Sequence, residues 1–114
     1  KDMTPGCTTQ ACDFRDQQKK FKTTVILGVS IDSQERHQKF IKKYDLPFKL
    51  LADTDKKVVE KYGVWQKKKL YGKTFMGIVR TTFLIDKSGT VRKIFPKVKV
   101  KNHIEEVLAE LKEL

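Results

Sequence analysis

Residues 4–16 read TPGCTTQACDFRD and hold both cysteines of the chain, Cys7 and Cys12. Ala11, Phe14 and Phe21 fall near helical spacing, which predicts a helix from Thr8 to about Lys22, with Pro5 and Gly6 in the loop that leads into it. Cys7 then sits at or near the first helical turn. In an intact helix, residues five apart are rotated by about 140° and displaced by about 7.5 Å along the axis. A disulfide needs β-carbons about 3.8 Å apart. The two thiols cannot bond while both stay in regular helix, so a working pair must alternate between a folded dithiol and a locally unfolded disulfide. Cys7 is the better nucleophile, because the backbone N–H groups and dipole at a helix N-terminus stabilise a thiolate. Against this stands the commonest fate of a free cysteine, a small buried apolar side chain. The spacing alone leaves both readings open.

Outward from that segment, VILGVS (residues 25–30) is apolar and β-rich. Asp32 and Ser33 follow as cap candidates for a helix with His37, Phe40, Ile41 and Tyr44 on one face. A short strand is expected around Phe48 to Leu51, then a short helix with Val58, Val59 and Tyr62 on one face, ended by Gly63. GVWQKKKLYGKTFMGIVR (residues 63–80) lacks clean periodicity and reads as mostly loop with at most one short strand; Trp65, Tyr71, Phe75 and Met76 are expected to pack on the core rather than to line a pocket mouth or a partner surface. TTFLID and TVRKIF flank DKSG as an antiparallel hairpin. Ile104, Val107, Leu108 and Leu111 recur at i, i+3, i+4 and i+7, which makes the last segment an amphipathic helix. Helices and strands in this order predict an α/β layered domain.

The 114 residues bound the answer to one small domain, 1–114. With 39% hydrophobic and 34% charged residues, the composition is that of a folded protein and excludes a disordered segment. No apolar run is long enough for a transmembrane helix. The net charge of +11 raises the question of a nucleic-acid or anionic partner. Only Arg15, Arg36, Arg80 and Arg92 are arginines, and the lysines are scattered through every element rather than forming a stripe. That pattern favours a solvated surface over base recognition. Two cysteines are too few for a secreted disulfide framework, and His37 and His103 lie too far off in sequence to complete a zinc-type set. No metal or cofactor is expected, and neither histidine receives a role.

Taken together, TPGCTTQACDFRD, VILGVSIDS, LPFKLLAD, the YGVW and YGKTFMGI stretches, RTTFLID and FPKVKV resemble the peroxiredoxins, specifically the bacterioferritin comigratory protein or peroxiredoxin Q group. The signature of that family is a Pro, three residues, a Thr, two residues and the peroxidatic Cys, often with a resolving Cys five positions later. Thr4, Cys7 and Cys12 fit it. The resemblance implies a thioredoxin-like fold and a thiol peroxidase acting on hydrogen peroxide and organic hydroperoxides, re-reduced by thioredoxin or a similar dithiol. It implies that Cys7 is the peroxidatic nucleophile, that Thr4 orients the peroxide, that Arg80 stabilises thiolate and transition state, and that Cys12 resolves. A cytoplasmic monomer without membrane or nucleic-acid partners is expected.

The chain departs from the pattern in two places. The signature Pro would stand just before Lys1, and the family strand that runs into the active-site loop is missing from the sequence. In a thioredoxin-like sheet that strand is central, between the equivalents of VILGVS and TTFLID. Without it, two rows of backbone groups lose partners and apolar faces are uncovered, a cost that a domain with a net stability of about 5–15 kcal/mol does not absorb. The sequence is therefore expected to belong to a longer polypeptide or to receive a strand from another chain. The stretch between DFRD and VILGVS is also shorter than the group would give and has no helix-ending glycine. The competing reading is a basic nucleic-acid- or anion-binding module with incidental cysteines.

Overall fold

The computed structural model describes residues 2–21 and 24–112. The chain forms two compact units, Lys1–Lys57 and Val58–Leu114.

The first unit opens with α1 (Pro5–Asp16). Pro5 occupies the first turn, where its fixed φ suits a helix and its missing N–H costs no hydrogen bond. Thr4 is the N-cap residue, and the ladder begins with the Thr8 N–H donating to the Thr4 carbonyl at 2.9 Å. The helix starts earlier than expected, with Pro5 and Gly6 inside it and not in an entry loop, and also stops earlier, at Asp16, where a 3₁₀ turn over Gln18–Phe21 follows. The expected end at Lys22 lies outside the described residues, as does part of the linker to VILGVS. Phe21 is buried, with its ring 5.6 Å from that of Phe14.

Strand β1 (Leu27–Ser30) pairs in parallel with β2 (Lys49–Ala52), Gly28 facing Leu50. A β-carbon at Gly28 would lie 2.5 Å from Leu50 Cδ2, so a larger residue there requires the Leu50 side chain to shift. Between these strands runs α2 (Gln34–Tyr44). Of the two cap candidates Ser33 does the capping, accepting from the Arg36 N–H at 3.1 Å, and Asp32 has other partners. Asp45 ends the helix in the left-handed conformation, φ 51°, with the Leu46 N–H donating to the Ile41 carbonyl. Ala11, Phe40 and Leu46 form the core, with Ile41, Tyr44, Phe48 and Leu50 packed against it.

At the unit boundary, α3 (Lys57–Lys61) ends as expected at Gly63, φ 73°. The Gly63 N–H donates to the Glu60 carbonyl and the Val64 N–H to the Val59 carbonyl, the paired bonds of a glycine C-cap. The expected loop over residues 63–80 is instead a second hairpin, β3 (Trp65–Leu70) with β4 (Lys73–Ile78). Tyr71 and Gly72 turn it, with φ 51° and 77°. Positive φ at both turn residues is the geometry that matches strand twist. Most of this ribbon is exposed, so its faces carry lysines and aromatics instead of alternating apolar and polar residues. Tyr71 is 95% exposed, and Phe75 and Met76 nearly half, so these side chains do not pack into the core as expected.

The DKSG hairpin joins β5 (Thr82–Ile85) to β6 (Val91–Phe95), antiparallel, with a bulge at Leu84/Ile85. Asp86 accepts from the Ser88 hydroxyl and the Ser88 and Thr90 N–H groups, which hold its carboxyl below the usual range. Helix α4 (His103–Lys112) buries His103, Ile104 and Val107. Among the described residues β1 pairs only with β2 and β5 only with β6.

Candidate active site

Helix α1 carries Thr4 at its cap, Cys7 in its first turn and Cys12 in its middle. The Thr4 side chain makes no capping bond to its own helix. No acidic residue occupies the first turn, so nothing there neutralises the positive end of the helix at Cys7. Both cysteines are half-buried, and neither is in a disulfide. Because both lie inside one regular helix, their side chains leave it in different directions, as the sequence geometry required.

The two ends of α1 are held differently. At the tail, Arg15 Nη1 donates to the Tyr44 carbonyl at the end of α2, 2.6 Å, and Arg15 Nε pairs with Asp16 at 2.9 Å. At the head, the residues before the helix are fixed at the carboxyl end of β1. The Asp2 N–H donates to Asp32 Oδ2 at 2.9 Å, and Arg36 Nη2 donates to the Asp2 carbonyl at 3.1 Å. The Asp2 carboxylate lies 2.5 Å from His37 Nδ1, and the other ring nitrogen, Nε2, donates to the Leu51 carbonyl of β2 at 3.1 Å. Asp2 and His37 are buried. Burial opposes ionisation of Asp32, yet the Ser30 hydroxyl, the Asp2 N–H and the Arg36 charge outweigh it and hold the carboxyl below its ordinary range.

Asp2, Asp32 and His37 bring ligand-type atoms within 4.8 Å of one another, the arrangement of a small cation site. Both ring nitrogens of His37 already have partners, and the Arg36 guanidinium lies 3.3 Å from Asp32 Oδ1. An ion-pair network accounts for the cluster. Sequence reading missed it. The available signal was a histidine on the apolar face of α2, since a buried imidazole must find partners for both nitrogens.

Arg80 lies in the second unit, half-buried between β4 and β5, where its carbonyl accepts from the Val98 N–H at 2.9 Å. In that unit His103 is buried, its Nε2 2.8 Å from Thr82 Oγ1 and its ring edge-on to Phe95. Burial pushes the His103 imidazole below its usual pKa, and the Arg80 charge adds to this while Glu106 opposes it. The structure thus gathers Thr4, Cys7 and Cys12 on one helix and sets Arg80 on the connection between two strands of the other unit.

The AhpC/TSA family matches residues 1–94. Peroxiredoxin Bcp of Bacillus subtilis is 56% identical over 116 residues, covering 100% of this chain and 74% of that protein. The chain is a peroxiredoxin of the bacterioferritin comigratory protein, or peroxiredoxin Q, group. A putative peroxiredoxin of Coxiella burnetii is 51% identical, covering 97% of this chain and 75% of that one. A solved cysteine-to-serine variant of Xanthomonas campestris peroxiredoxin Q has a TM-score of 0.94 at 42% identity, covering 99% of this chain and 73% of its own. The fold is therefore thioredoxin-like, and the chain spans about three quarters of the length of these relatives.

Membership makes this peroxiredoxin a thiol peroxidase, reducing peroxide through a cysteine and drawing electrons from a thioredoxin-type dithiol. It decides against the reading as a basic binding module. No helix among the described residues is long and apolar enough to cross a membrane.

Proposed function

We propose that Cys7 is the peroxidatic thiol of this peroxiredoxin, Cys12 its resolving thiol, Thr4 the hydroxyl that orients the peroxide and Arg80 the fixed cation. The observation that carries this reading is the position of Cys7 in the first turn of α1, behind Pro5 and with no carboxylate in that turn. The Cys7 thiolate attacks one peroxide oxygen, the O–O bond breaks, and the second oxygen leaves as water or an alcohol after taking a proton. Cys7 becomes a sulfenic acid. The Cys12 sulfur then attacks the Cys7 sulfur and expels water, which gives the disulfide. Because charge moves from sulfur to the leaving oxygen, a preorganised guanidinium lowers the barrier throughout.

The substrates are hydrogen peroxide and organic hydroperoxides. The likeness to the Xanthomonas campestris bacterioferritin comigratory protein, studied for alkyl peroxide reduction, supports the second class; TM-score 0.93, 41% identity. Residues 1–114 act as one domain, which the family match across the boundary between the units supports. The enzyme works as a monomer, and a disulfide that must be reduced each cycle suits the cytoplasm, where dithiol reductants are maintained.

The intact mass of the reduced protein, before and after one equivalent of hydrogen peroxide, tests the cycle. The expected result is loss of a pair of hydrogens, mapped to a Cys7–Cys12 bond and abolished in Cys7→Ser. An unchanged mass with both thiols intact overturns the assignment. Arg80→Ala is expected to slow peroxide reduction by about two to three orders of magnitude with the fold intact; an unchanged rate removes Arg80 from the mechanism.

A further inference from the structure

The buried network at the head of α1 is unused by the mechanism, and it is built around one residue. Asp2 is held through its N–H by Asp32, through its carbonyl by Arg36 and through its carboxylate by His37. The next residue, Met3, has φ 66°, the left-handed region that an unbranched apolar residue rarely enters. Such strain persists only where the surroundings over-determine it. Thr4 takes the N-cap position immediately afterwards, and Cys7 follows in the first turn. The conformation of the segment that presents Thr4 and Cys7 is thus set from Asp2.

We propose that His37 is a positioning residue of the peroxidase: through Asp2 it fixes the Asp2–Cys7 segment against β1 and β2, so that Thr4 and Cys7 are placed for attack on the peroxide. This rests on Cys7 being the peroxidatic thiol. A carbonyl cannot donate, so His37 Nε2, facing Leu51, carries a hydrogen. Nδ1 and the Asp2 carboxylate are 2.5 Å apart, and two acceptors at that separation repel, so a proton lies between them. Around the ring stand the Asp2 carboxylate from the lead-in to α1, Asp32 from the β1–α2 connection, Arg36 on α2 and the uncharged Leu51 carbonyl of β2.

The test compares two reactions of Cys7: oxidation by hydrogen peroxide, which needs the placed site, and alkylation by iodoacetamide, which needs only the thiolate. Folding is checked by circular dichroism. His37→Leu is expected to slow oxidation about a hundredfold, as a misplacement of about 1 Å does, with alkylation little changed. Parallel loss of both rates, or loss of neither, overturns the proposal. In Asp2→Asn the amide donates to His37 Nδ1 while Nε2–H keeps its bond to Leu51, so placement survives without the shared proton. The oxidation-to-alkylation ratio of Asp2→Asn is expected to stay close to that of the native protein, and that of Asp2→Ala, which leaves His37 Nδ1 without its partner, to fall as in His37→Leu. A native ratio in Asp2→Ala sinks the proposal even if His37→Leu does not fold. Full activity in Cys7→Ser would instead sink the assignment of Cys7.

Discussion

The two ends of α1 differ in kind. The head is locked by a buried network in which one residue, Asp2, is gripped at three groups. The tail is held by Arg15, whose side chain is one-third exposed and reaches the Tyr44 carbonyl. Charged hydrogen bonds in a low-dielectric site are strong and costly to break, whereas exposed ones compete with water. Cys7 lies near the locked end and Cys12 toward the loose one. A disulfide between them requires unwinding, and on the proposed roles the difference predicts that it starts at the tail, with the resolving thiol travelling to a peroxidatic thiol that stays in place.

The most severe way to break that division of labour is Cys12→Ser. The head remains locked, so Cys7 is expected to consume its single equivalent of peroxide at close to the native rate. Turnover through the dithiol reductant then stops, with a sulfenic acid or mixed disulfide detectable by mass. Sustained turnover would show that some other thiol resolves.

Acid separates the ends more gently. The folded Asp32 carboxyl titrates below its ordinary value of 3.8. A depressed carboxyl pKa stabilises the fold fully above the unfolded value and loses that contribution as pH falls through the folded one. Protection of the Asp2 amide, which donates to Asp32, is therefore expected to drop below pH 3.8 by up to about tenfold per unit. The Gln17 amide at the tail donates to the Asp13 carbonyl and serves as the internal reference. Amide exchange followed by NMR, corrected for intrinsic rates, gives the comparison, and Asp32→Asn should flatten the Asp2 response. Equal acid responses at both amides would mean that the head is not held through Asp32.

How much of this could be read from the sequence depended on whether a residue's role was local. The DKSG turn announces itself through glycine, serine and aspartate chemistry, and β5 and β6 flank it where expected. The Tyr71–Gly72 turn does the same geometric work without a recognised turn pair, and its exposed strands show no alternating burial, so the hairpin was read as loop. The cysteine helix was legible because Pro5, Gly6 and the spacing of Ala11 and Phe14 all act within a few residues. The clamp was not, because its bonds join residues separated by 14 to 35 positions, and no local pattern in either partner encodes such a meeting. His37 carries the lesson: a polar residue on an apolar helix face reports that it is buried, not whom it meets.

The smallest expected effect sharpens the comparison most. Arg15→Ala removes the bond to the Tyr44 carbonyl and the pair with Asp16 while leaving Asp2, Asp32, Arg36 and His37 untouched. If unwinding starts at the tail, the local opening that frees Cys12 becomes easier, and conversion of the Cys7 sulfenic acid to the disulfide should speed up by about two- to fivefold, in keeping with the modest strength of exposed charged contacts. The preceding oxidation of Cys7 should not change, because the head is intact. Rapid-quench mass spectrometry, which identifies each species over time, separates the two steps. Faster resolution at a constant oxidation rate would place the start of unwinding at the tail. A slower oxidation step with no change in resolution would reverse the assignment, making Arg15 part of what places Cys7 and the head the end that yields.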